Sequence, residues 1–157
     1  MPAESANTGG VALIIQSGDF ERVHYGLALA AAAVAVNRPA LLFFTNGAIN
    51  ALANETDGYA AWQDLPADAG AWGARAAGAQ HSETGAERDA VLKVRGVGDF
   101  ETLLQSCAQL GARFIVCEMG LRAIGLAEAA LRQDIPITLA GIVTFYEEAG
   151  SSQIMVL

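Results

Sequence analysis

The stretch Arg113-Phe114-Ile115-Val116-Cys117-Glu118-Met119-Gly120-Leu121-Arg122 decides how this chain is read. Its first half is a continuous apolar run, the pattern of a strand covered on both faces. Its second half takes up helical spacing at once, so the strand turns directly into a helix at Cys117. Doubly covered strands belong to parallel sheets flanked by helices. In such open sheets, ligands and chemistry gather outside the carboxyl ends of the strands. Cys117 therefore stands at the chemically useful edge. A thiol at a helix N-terminus also has its thiolate favoured by the backbone dipoles.

The same grammar repeats on either side. Val11-Ala12-Leu13-Ile14-Ile15 reads as a buried strand, ended by Ser17-Gly18-Asp19 with Asp19 as helix N-cap. Val23, Leu27, Ala30, Ala31 and Val34 keep helical spacing until Asn37-Arg38-Pro39 stops the helix. Ala40 to Thr45 is a second buried strand, and Asn46-Gly47 turns into a short helix through Asn54. Asp99 caps a further helix whose stripe is Phe100, Leu103, Leu104, Cys107 and Leu110, closed by Gly111. After Cys117 come a helical region from Met119 to Arg132 with a break at Gly125, and a strand from Ile135 to Ala140. A short helix follows, marked by Ile142, Phe145, Tyr146 and Ala149, and then a last strand from Gln153 to Leu157. Strand and helix alternate, which predicts a parallel sheet with helices on both faces.

Residues 55–97 break the pattern: they are rich in Ala and Gly, carry Trp62, Trp72 and His81, and show weak periodicity. They read as an extended loop or insertion, with room for short helices. Two tryptophans in such a segment point to an interface. Residues 1–10 read as a disordered tail, and 11–157 as one α/β domain.

With 157 residues, of which 53% are hydrophobic, the chain can bury a substantial core. Its formal net charge of −8 disfavours nucleic acid, which needs a basic surface. The longest apolar stretch, Tyr25 to Val36, is too short to span a bilayer, and no secretory signal opens the chain. Two cysteines without such a signal do not form a disulfide framework, so the expected compartment is the reducing cytoplasm.

Cys117 is the first candidate for chemistry. Cys107 lies on the apolar stripe of its helix, where a packing thiol is the plainer reading. The pair is too far apart along helix and strand for a disulfide. Arg22 and His24, just after the first strand, lie at the same edge as Cys117 and could stabilise a thiolate or bind an anion. Asn46 closes the second strand at that pole. Glu118 opposes simple thiolate activation and reads as a cap or ion-pair partner. A dinucleotide fingerprint, a phosphate loop, a nucleophile elbow and a zinc-ligand spacing are all missing, so neither a cofactor nor a metal is expected.

Four segments in order resemble the DsrE-like (DsrE/DsrF/DsrH) sulfur-relay family. They begin at Ser17-Gly-Asp-Phe-Glu-Arg-Val-His-Tyr-Gly, Leu42-Phe-Phe-Thr-Asn-Gly-Ala, Cys107-Ala-Gln-Leu-Gly-Ala-Arg-Phe-Ile-Val-Cys117-Glu-Met-Gly, and Ala140-Gly-Ile-Val-Thr-Phe-Tyr-Glu-Glu-Ala. The resemblance covers most of the chain outside 55–97. It implies a flavodoxin-like three-layer α/β sandwich with a mostly parallel sheet of about five strands. It also implies a homo-oligomer, trimer or hexamer, and a cysteine that holds sulfane sulfur as a persulfide between a donor and an acceptor protein. Cys117 inherits that carrier role. Cys107 matches a second cysteine found in some relatives and stays a second candidate. Two other readings remain open on the same fold: a small-molecule or nucleotide-binding module, and a non-catalytic oligomeric interaction protein.

Overall fold

The computed structural model describes residues 9–54, 60–67 and 83–157. Five strands form one all-parallel sheet: β1 (Val11–Ile15), β2 (Ala40–Phe44), β3 (Arg113–Cys117), β4 (Ile137–Ala140) and β5 (Gln153–Val156). Among the described residues, five α-helices accompany them: α1 (Phe20–Ala35), α2 (Gly85–Val94), α3 (Phe100–Gln109), α4 (Glu118–Ile124) and α5 (Ile142–Ala149). The order across the sheet is β4-β3-β2-β1-β5. This is the flavodoxin-like three-layer sandwich expected from the sequence.

The strand order follows from handedness. The chain steps from β1 to β2 to β3 to β4 in one direction, and each right-handed crossover lays its helix on the same face. Phe20, Val23 and Leu27 of α1, Leu104 and Cys107 of α3, and Leu121 of α4 accordingly share one core with Leu13, Leu42 and Phe114. From β4 the chain must travel back across the sheet to β5. A right-handed crossover in that direction puts α5 on the other face. Phe145 and Ala149 of α5 pack there on Ala12, Leu41, Phe43, Ile115, Cys117 and Ala140.

Helix ends are built as the residues dictate. The carboxylate of Asp19 caps α1 by accepting from Arg22 N, and Asp99 caps α3 by accepting from Thr102 N. Gly125, at φ 70°, ends α4 after seven residues, so the helical region expected to run to Arg132 is short. The short helix expected after β2 is a 3-10 helix, Asn46–Leu52.

Within 55–97, the described residues hold short helices: a 3-10 turn, Ala61–Asp64, and a ten-residue α-helix, α2, with a Thr84/Glu87 capping box. Trp62 is covered within its own chain, so no interface is needed to shield it. It is buried, stacked on Phe100 at 4.6 Å between ring centroids, and its Nε1–H donates to Glu101. Trp72 and His81 lie outside the described residues, as does most of the expected tail. Its last two residues are tied down: Gly9 O accepts from Arg38 Nε and Gly10 O from Gln153 N.

Candidate functional site

An open parallel sheet has its ligand crevice where neighbouring strands send their connections to opposite faces. Here that point falls between β3 and β4: α4 leaves β3 toward one face, and α5 leaves β4 toward the other. Cys117 is the last residue of β3 and pairs in register with Ala140, the last residue of β4. The thiol expected at the sheet's edge thus stands at its topological switch point.

Three features hold Cys117 there. Its side chain faces the α5 side of the sheet, among Ile115, Ala140 and Phe145. It is itself the N-cap of α4, and its Sγ accepts a hydrogen bond from Gly120 N at 3.4 Å. Gly120 in turn is pressed against the turn after β2: a Cβ there would lie 2.6 Å from Thr45 Oγ1 and 2.7 Å from Asn46 N. The absence of a side chain at 120 therefore lets the first turn of α4 sit close enough to bring its N–H to the sulfur. Cys117 is fully buried, while Glu118 and Met119 beside it are exposed.

Of the residues singled out in the sequence, Asn46 and Glu118 gather around Cys117. Asn46 adopts a left-handed conformation, φ 49°, that turns the chain under Gly120. Glu118 is exposed in the first turn of α4 and does not cap it, because the sulfur of Cys117 takes that place.

Arg22, His24 and Cys107 are not brought to Cys117. His24 lies on the opposite side of the sheet, its ring 5.4 Å from that of Phe20 and its Nε2 2.7 Å from Gly98 O. Arg22 extends from α1, two strands away, with an exposed side chain whose Nε is 3.5 Å from Asp19 Oδ2. Cys107 is buried between α3 and α1 and donates to Leu27 O at 3.3 Å. Burial pushes its thiol up to about 11. Both cysteines are free thiols on opposite faces of the sheet.

The amino end of α1 is closed to anions. Phe20 N donates to Pro66 O, Glu21 N to Ala67 O, Arg22 N to Asp19 Oδ1 and Val23 N to Asp19 O. These are the N–H groups that a phosphate would need at a helix start. The chain's own carbonyls and carboxylate already hold all four. The serine before the cap, Ser17, donates its hydroxyl to Asp19 as well.

The residue that sequence reasoning missed is Gly120. Its signal was the spacing Cys117-x-x-Gly120, which sets the third helical N–H over the side chain of an N-cap residue. Comparison with models of known protein families found no match, and comparison with curated proteins found none either.

Proposed function

We propose that this chain is a DsrE-like sulfur carrier in which Cys117 holds sulfane sulfur as a persulfide. The observation that carries the proposal is the position of Cys117: a free thiol at the switch point of a flavodoxin-like sheet, with a backbone N–H directed at its sulfur. The sequence resemblance supplies the kind of chemistry. The Cys117 thiolate attacks the outer sulfur of a donor persulfide, R–S–SH. One S–S bond forms on Cys117 as the donor's S–S bond breaks, and the donor leaves as a thiolate that takes up the proton Cys117 gave. The acceptor thiolate then repeats the exchange in reverse, so no external oxidant or reductant is needed. The Gly120 N–H stabilises negative charge on the inner sulfur in both steps.

In this reading the partners are persulfide donor and acceptor proteins together with further copies of the chain, and the compartment is the cytoplasm. Among the described residues, no helix is long and apolar enough to cross a membrane. Exchange at a buried thiol requires the edge between Glu118 and Gly141 to open.

The complete burial of Cys117 favours a second reading, a non-catalytic interaction protein in which the sulfur merely caps α4. One experiment separates the two. The protein is incubated with a persulfide donor, and its mass is read by mass spectrometry. A single added sulfur on the wild type, retained by Cys107→Ser and lost in Cys117→Ser, is the expected result. No adduct on folded wild type, together with slow alkylation of Cys117, supports the second reading instead.

A further inference from the structure

A cavity of about 350 Å³ opens between α1 and α2, on the side of the sheet away from Cys117. It is lined by Glu21, His24 and Tyr25 of α1, Arg88 and Leu92 of α2, and Val97. Small-molecule sites of this size pair apolar walls with a few placed polar groups. Here Tyr25, Leu92 and Val97 are the walls, and Glu21, His24 and Arg88 are the polar groups. The far wall is fixed from two sides: Val97 N donates to Leu92 O, and Phe100 N to Asp89 Oδ1.

The fold holds these polar groups without using them up. The His24 ring is 7% exposed, and its Nε2 lies 2.7 Å from Gly98 O. A carbonyl only accepts, so the neutral ring carries its proton on Nε2 and presents a lone pair at Nδ1. Nδ1 has no partner among the described residues. Arg88 Nε is buried 2.8 Å from Glu21 Oε1, an ion pair whose angle makes no hydrogen bond. The Arg88 Nη groups and Glu21 Oε2 are likewise without a partner among the described residues. Polar groups at a half-covered site are costly to leave unpaired, so a ligand that pairs them is favoured.

We infer that this cavity binds a free α-amino acid with an apolar or aromatic side chain. The carboxylate meets the Nη groups of Arg88 end-on, as a guanidinium fork holds a carboxylate. The ammonium, three donors and no acceptor, meets the lone pair of His24 Nδ1 and the free oxygen of Glu21. The side chain lies against Tyr25, Leu92 and Val97. Charge decides among ligand classes. Glu21 and Arg88 already neutralise each other, so Glu21 repels a bare anion and Arg88 a bare cation. A zwitterion adds one charge of each sign and leaves the net charge of −8 unchanged. The assignment does not rest on the sulfur chemistry of Cys117.

The test is titration of the isotope-labelled full chain with L-phenylalanine up to about 10 mM, read by amide NMR shifts. Saturable shifts are expected, centred on residues 21–25, 88–92 and 97, with half-saturation at about 1 mM or below. Hydrocinnamate lacks the ammonium, phenethylamine the carboxylate and glycine the apolar side chain. Each should bind at least tenfold more weakly, and Arg88→Gln and Glu21→Gln should each weaken phenylalanine by as much. Val97→Trp guards against loss of fold in those variants. Val97 is 43% exposed, so a larger side chain there fills the cavity and abolishes the shifts while amide dispersion is kept. Absence of saturable shifts on wild type, shifts centred elsewhere, equal binding of hydrocinnamate, or binding that survives Val97→Trp would overturn the assignment.

Discussion

The two cysteines show how address, rather than residue type, sets the behaviour of a thiol. Cys107 is packed between two helices, donates to Leu27 O, and is pushed up to about 11 by burial. The unfolded chain ionises this thiol near its ordinary value of 9.0, before the folded chain does. The folded form therefore binds more protons between about 9 and 11, and stability falls as pH rises through that window. Denaturant unfolding at stepwise alkaline pH should show this slope in wild type and a shallower one in Cys107→Ala. Cys107 should also resist alkylation until the protein unfolds. Cys117 is equally buried, yet it ends a strand and caps a helix instead of filling a helix–helix contact. Its place was legible because an apolar run ending in Cys-Glu-Met-Gly has only one way to continue in an α/β fold. The roles expected of Arg22 and His24 were not legible. Sequence shows that they follow a strand at the right edge, but not that α1 lies on the face away from Cys117, which depends on the direction of the crossover.

Among elements, α4 is the part most exposed to test. Its seven residues hold together through the Cys117 cap, the close approach at Gly120 and the left-handed end at Gly125. Gly120→Ala would place a Cβ 2.6 Å from Thr45 Oγ1 and 2.7 Å from Asn46 N. Backbone that cannot yield makes this overpacking cost about 1–3 kcal/mol in denaturant unfolding. It should also alter the rate at which Cys117 reacts with a small alkylating agent, because the Gly120 N–H is displaced. A second element-scale device ties α3 to the chain before β4. Arg132 donates to both carboxylate oxygens of Glu101 and to Asp134, and Trp62 donates to the same Glu101. The Arg132 guanidinium holds Asp134 below the usual carboxylate range. Its contribution is present above that range and is lost as pH falls through the lowered value. Stability should therefore decline below about pH 4, and Asp134→Asn should flatten that decline when melting is followed from neutral to acid pH. The caps at Asp19 and Asp99 could be read from sequence, since Asp before an apolar-periodic segment is a local signal. The Arg132 cluster could not, because Trp62, Glu101 and Arg132 are tens of residues apart and meet only in the fold.

For the whole molecule, the strand order β4-β3-β2-β1-β5 does two things at once. It sets the switch point between β3 and β4, where Cys117 and Ala140 pair, and it sends α5 across the second face. The first makes a lone thiol the centre of the carboxyl edge. The second packs Phe145 and Ala149 of α5 on the side of the sheet that Cys117 faces. Alternation of strand and helix made the parallel sandwich legible, whereas the return of β5 to the far side of β1 emerged only from the strand order. The order also explains why the amino end of α1 is not an anion site: the long connection between β2 and β3 returns over it and supplies Pro66 O and Ala67 O. The central claim is that Cys117 carries sulfur, and a transfer experiment tests it most directly. Wild type is loaded from a donor bearing isotope-labelled sulfane sulfur, freed of donor, and mixed with an acceptor thiol, while peptide mass mapping follows the label. The account predicts label on the Cys117 peptide alone, passing stoichiometrically to the acceptor and absent throughout in Cys117→Ser. Label that never reaches the Cys117 peptide, or that loads equally in Cys117→Ser, would contradict it.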